Sequence, residues 1–220
     1  MSQTILDIYL EKYKQLIIVI SGMSGSHKSE IAENISKVLN CKHINQNNYI
    51  NIDFKEVVEI NDKKINMWDS DDAINWNDFN NKVNEIIDEN KIIVLSGISF
   101  NKEKINFKID FHIHLKLSKQ LLLEKRQEFL EKHAKDPQYE TMINIDDEIK
   151  KILFNKYTFP YYLQTTENAI INKFLNINDM DTIDIIKHTF NMIINFIENK
   201  IYSTRSDMKW NEQQHAYDYL

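Results

Sequence analysis

Glycine, proline, arginine and cysteine are nearly missing from this chain, with three, two, two and one copies in 220 residues. A lone Cys41 can neither build an intrachain disulfide framework nor join a thiolate cluster around structural zinc, so a reducing, cytoplasmic setting is expected. Positive charge is also in deficit. A formal net charge of −6 and a pI near 5.7 leave no broad basic surface, which argues against a nucleic-acid partner. No apolar run reaches the ~20 residues that span a bilayer, and acidic residues interrupt the N-terminal "MSQTILDIYLEKYK". No membrane partner is therefore expected. Linkers rich in Pro, Gly or Ser are absent too. One domain over 1–202 is the reading, followed by a tail (203–220) with no usable periodicity that is either loose or partner-docking.

What the chain does contain is an alternation of short apolar runs with helical patterns. "QLIIVIS" (Gln15–Ser21) reads as a strand buried on both faces, and Ile31, Ala32, Ile35, Val38 and Leu39 then recur at helical spacing. "CKHIN" is a second strand candidate. A helical stripe follows from Ile74 to Glu89, after which "KIIVLSG" repeats the buried-strand pattern. "IDFHIHLKL" alternates strictly, which predicts one wet or polar face carrying His112 and His114. Those two have a spacing that metal sites use, although solvated or helix-covered histidines are the commoner outcome. Ser118 caps a helix to about Lys132, and another helix, with clustered acids at its start, stops near Pro160. "ENAIINKF" is a weak fifth strand, before a long helix from Asp179 to about Lys200. Strands alternating with helices give an α/β class with a five-stranded parallel sheet and three layers.

The most chemical stretch is "GMSGSHKS", Gly22 to Ser29. It sits between a buried strand and a helix, the setting in which successive backbone N–H groups cradle phosphates. Gly22, Met23, Ser24, Gly25, Ser26, His27, Lys28 and Ser29 are the candidate ATP-binding residues. Lys28 would neutralise the outer phosphates, and the Ser29 hydroxyl would bind Mg²⁺. The alternative is a plain strand-to-helix turn with a solvated lysine. His27 stands where such loops carry glycine, at a position that often demands a positive φ; histidine tolerates one better than most residues.

The spacing of Gly22, Gly25, Lys28 and Ser29 resembles that of the uridine kinase and nicotinamide riboside kinase family, and the likeness runs from about Gln15 to Ile177. "MWDSDDAINWNDF" (Met67–Phe79) is similar to the family's Trp/Phe-Asp segment leading into a helix. "KIIVLSGISFN", "KIDFHIHLKLSKQLLLEKRQ" and "NKYTFPYYLQTTENAIIN" follow in the family's order. The resemblance implies a P-loop kinase fold with a lid over about 126–145, and transfer of the ATP γ-phosphoryl group to the 5′-hydroxyl of a ribosyl substrate. By the same resemblance Trp68 stacks on the substrate's base, Asp69 accepts from ribose hydroxyls, and Gln46 lies beside the substrate. Arg126, with Lys125 beside it, closes over the phosphates. The residues alone leave other places open: Trp68 in a core, Asp69 as a helix cap, Arg126 on a solvated face.

Two carboxylates of the family pattern are missing. Asn47, in "NQNNYI", stands where an aspartate takes the proton of the attacking hydroxyl, and an amide is no base at neutral pH. Ser96 replaces an acidic residue that helps organise magnesium. Phosphoryl transfer asks mainly for positioning and electrostatic clamping, so the machine is expected to work, slowed by ~10²-fold or more. Asp53 is a substitute base or simply a loop carboxylate. A pseudokinase that binds nucleotide or nucleoside without turnover is the alternative function.

Overall fold

In a computed structural model of the chain, residues 3–51, 53–98, 100–133, 135 and 143–217 are described, the side chains of 204–217 excepted. Five parallel strands form the central sheet: β1 (Leu16–Ser21), β2 (Lys42–Asn45), β5 (Ile92–Gly97), β6 (Phe111–Lys116) and β7 (Lys173–Asn176), in the order β2-β5-β1-β6-β7. In β1 the side chains alternate between two cores. Leu16, Ile18 and Ile20 face helices α1 (Ile5–Tyr13), α2 (Lys28–Val38) and the last helix, α7 (Thr182–Tyr217). Ile17 and Val19 face Phe79 and Val83 of α3 (Trp76–Glu89). Helices thus cover both faces, and an all-apolar strand is what that burial requires. The three-layer α/β expectation holds.

Local chemistry sets the element ends. Thr4 and Asp7 close a capping box on α1, Asn75 caps α3 through the Asp78 N–H, and Ser118 caps α4 (Lys119–Lys132) through the Leu121 N–H. The acids Asp147 and Glu148 do open α5 (Asp147–Leu153). Among the described residues, β3 (Val57–Ile60) and β4 (Lys63–Asn66) form a hairpin absent from the sequence reading. Asn61 and Asp62, at φ 50 and 61, make the two-residue turn that asparagine and aspartate tolerate best. This hairpin leads a small core of its own over the sheet, with Ile65, Met67 and Trp68 packed on Leu130 of α4 and on Ile149 and Leu153 of α5.

Three sequence expectations need correction. The polar face of β6 is not wet: His112 and His114 are each 1% exposed. The helix before Pro160 does not stop there. A π-helical turn over Phe154–Thr158 lets the Phe159 N–H reach the Phe154 carbonyl, and this local adjustment takes Pro160, which has no N–H to donate, into a helix that runs on as α6 (Phe159–Glu167). The fifth strand is Lys173–Asn176, later than "ENAIINKF" suggested. From residue 203 the backbone continues α7 to Tyr217, and the side chains of the tail from 204 on lie outside those described.

Candidate functional site

The loop from Gly22 to Ser29 leaves the C-terminal end of β1, the strand flanked by β5 and β6, where an open parallel sheet places its ligand crevice. His27 adopts φ 58, the left-handed region, so the backbone there does demand the glycine-like conformation. Its ring turns outward, 3.2 Å from Glu30. Gly25 has φ +91, and a β-carbon on it would lie 2.6 Å from the Lys125 carbonyl carbon and oxygen. The backbone of α4 rests directly on the loop at this point.

Among the described residues, no acceptor receives the backbone N–H of Gly25, His27, Lys28 or Ser29. Those at the start of α2 are the orphan donors of a helix's first turn. The Ser26 hydroxyl is likewise buried without a partner. Lys28 is 4% exposed, and its ammonium lies 3.5 Å from the Met23 carbonyl. Burial pushes its pKa down to about 8, an effect that Asp69 partly offsets and Arg126 reinforces. Lys28, Ser29 and Asn47 line one cavity of about 360 Å³ with His43, Lys125 and Phe129. A row of unpaired N–H donors, a desolvated cation and a serine hydroxyl suit a phosphate chain and its Mg²⁺.

The remaining candidates are distributed unequally around this cleft. Gln46 is buried against Gly97, where a β-carbon would meet its Oε1 at 2.5 Å, and that oxygen accepts from the Ile98 N–H at 3.1 Å. Ser96 is fully buried, its hydroxyl 2.9 Å from His43 Nε2, and burial lowers the His43 pKa. Asp53 is exposed on the loop and donates its N–H to Asn51. Trp68 packs in the hairpin core, 5.8 Å from Phe54. Met23 joins Leu122, Phe154 and Tyr162 in a cluster beneath the loop.

Asp69 and Arg126 do not stand apart. Arg126 grips Asp69 through its two terminal guanidinium nitrogens, at 2.8 and 2.5 Å, with each side chain 7% exposed. The Ser24 hydroxyl donates to the same carboxylate at 3.2 Å. Arg126 is therefore not on a solvated face; it ties α4 to the loop and to the segment after β4. Of the expected lid region, residues 134 and 136–142 lie outside the described residues.

Sequence reasoning missed the polar chain below the loop. His112 Nδ1 lies 2.9 Å from the Ile170 carbonyl, which only accepts, so that nitrogen carries the proton. Its Nε2 then accepts from the Ser21 hydroxyl at 2.6 Å, and Ser21 accepts from His114 Nδ1 at 2.7 Å. His114 Nε2 in turn accepts from Tyr162 at 2.6 Å. All four ring nitrogens are engaged, which leaves none to bind a metal. Burial holds both rings neutral, with pKa values pushed down to about 4 for His112 and about 3 for His114. The alternating histidines were visible in the sequence; Ser21, Tyr162 and Ile170 come from other elements and were not.

Comparison with solved structures places this architecture. A gluconokinase from Sinorhizobium meliloti superposes with a TM-score of 0.51 at 13% identity, over 86% of this chain and 97% of that one. A tRNA isopentenylpyrophosphate transferase from Bacillus halodurans gives 0.55 at 11%, over 87% and 100%. A sugar kinase from a Janibacter species gives 0.51 at 10%, over 80% and 93%. No protein-family model and no curated sequence matches the chain. The likenesses carry the fold alone, a three-layer α/β sandwich.

Proposed function

We propose that the protein is an ATP-dependent phosphotransferase in which the Gly22–Ser29 loop holds the donor phosphates. The observation that carries this reading is the set of unpaired N–H donors at Gly25, His27, Lys28 and Ser29, backed by the buried Lys28 and opening with Ser29 and Asn47 on one cavity. Bound ATP supplies the γ-phosphoryl group, with Mg²⁺ held through Ser29. Lys28 neutralises charge on the outer phosphates, and its desolvation strengthens that interaction over its worth in water. Asn47, on the same cavity, offers the acceptor a hydrogen-bonding amide and takes no proton; the hydroxyl proton passes to the transferred phosphoryl group or to water as ADP leaves, so positioning carries the rate.

For the acceptor we favour a nucleoside or related ribosyl compound phosphorylated at its 5′-hydroxyl. This finer reading is supported by the order of sequence segments described above and by a carboxylate, Asp69, within reach of the loop.

Incubation with Mg-ATP and a panel of nucleosides that includes nicotinamide riboside, with monophosphate as the readout, tests it. Product from at least one member is expected, and Lys28→Ala is expected to abolish both product and ATP binding. ATP binding with no product from any acceptor would instead make the chain a nucleotide-binding module, as the neutral Asn47 and Ser96 would allow. Absence of ATP binding would reduce the loop to a structural turn.

A further inference from the structure

Asp69 sits where an anion belongs. Its two oxygens receive three donors from the loop and from α4: the Ser24 hydroxyl and both terminal nitrogens of Arg126. Its charge is also close enough to Lys28 to offset part of that group's desolvation. These are the partners a phosphate would recruit, since a guanidinium fork fits carboxylate and phosphate in the same bidentate way. A buried ion pair gains little net free energy, because desolvation cancels most of the attraction. A polyphosphate offers more charge to the same cations.

We infer that Asp69 is an internal anion held by Ser24 and Arg126 at the edge of the phosphate loop, and that a polyphosphate on the loop competes with it and takes over Arg126. The inference rests on the phosphate-loop reading and adds an order of events to it. The carboxylate freed from Arg126 stays beside the cleft with both oxygens able to accept hydrogen bonds from an acceptor's hydroxyls. Donor binding thus prepares the acceptor site, and the two ligands bind with positive coupling. In the pair seen here Asp69 has those oxygens already spoken for, so an acceptor arriving first meets a closed group.

The test uses the full chain and inorganic tripolyphosphate as the probe, with affinity read by calorimetry and folding by circular dichroism. Removal of a competing internal ligand makes the external one bind tighter: Asp69→Asn should gain about tenfold, on the usual scale of site coupling. In an Arg126→Gln background the same substitution should gain less than about twofold, because the two changes act on one shared interaction. An equal gain in both backgrounds would mean a general field effect, and no gain in a folded Asp69→Asn would mean that Asp69 does not compete; either overturns the inference and leaves the phosphate loop standing. Should Asp69→Asn fail to fold, hydrogen exchange on the wild-type chain decides. Tripolyphosphate should protect residues 22–29 while amides of 67–71 exchange faster. Protection of both segments would refute displacement. If neither the wild type nor any folded variant binds tripolyphosphate, the phosphate-loop reading itself fails and takes this one with it.

Discussion

Mild acid should cost this protein stability because of the two histidines beneath the loop. Both rings are neutral in the folded state, with pKa values near 4 and 3 against 6.5 for an ordinary histidine. Desolvation is the main cause for each, and Lys28 and Lys116 add repulsion at His114. Between pH 6.5 and 4 the unfolded chain holds protons that the folded one refuses, so stability falls as pH falls through that window. From pH 7 to 5 each ring loses about 2 kcal/mol, and the pair about 4, a large share of an ordinary domain's stability. The half-buried His43, with its pKa also lowered by burial, acts in the same direction. Guanidinium unfolding at pH 7, 6 and 5 measures the slope. His112→Gln and His114→Gln should each flatten it by about one proton, even though both also weaken the fold at pH 7 by leaving Ser21 or Tyr162 short of a partner. Variants whose slopes match the wild type would refute the reasoning, since the rings would then titrate alike in both states.

Other perturbations probe the loop and its supports. Gly25→Ala forces a β-carbon against the α4 backbone at a positive φ, and should cost about 1–3 kcal/mol in thermal unfolding and weaken polyphosphate binding; an unchanged melting point would show that α4 does not rest on the loop. Because burial pushes the Lys28 pKa down to about 8, tripolyphosphate affinity should fall above about pH 8, where binding has to take up a proton on Lys28, and Lys28→Ala should remove that fall; calorimetry in two buffers of different ionisation heat reads that uptake directly. Asn47→Asp should raise any turnover by ~10²-fold by restoring a base, and a drop in rate would show that the amide is the group the site needs. Phe79→Ala, at a fully buried position ringed by Tyr49, Trp76, Phe100 and Phe107, should cost about 3–5 kcal/mol by urea titration.

Much of the scaffold, with the strand-to-helix loop at Gly22–Ser29, was legible in order. Burial writes itself into local patterns: an unbroken "LIIVI" is what a strand covered on both faces must be, and glycines are conspicuous in a chain that avoids them. The same locality explains the misses. The hairpin at Val57–Asn66 mixes charged and apolar residues because only part of it is covered, and the π turn before Pro160 is a backbone adjustment that no residue type announces.

By itself, then, the sequence determined the order of the five sheet strands and the helices between them, the loop with its left-handed His27, and the absence of carboxylates at Asn47 and Ser96, each of which depends on neighbours along the chain. Only the tertiary structure decided what those side chains face. Asp69 and Arg126 are 57 residues apart and His114 and Tyr162 are 48, and an isolated pattern of residues carries no record of such pairings. The burial that joins them is also what shifts their charges. The buried Lys28, the neutral histidines and the closed Asp69 pair are therefore properties of the packed molecule, where removing water sets which groups hold their charge and which partners they keep.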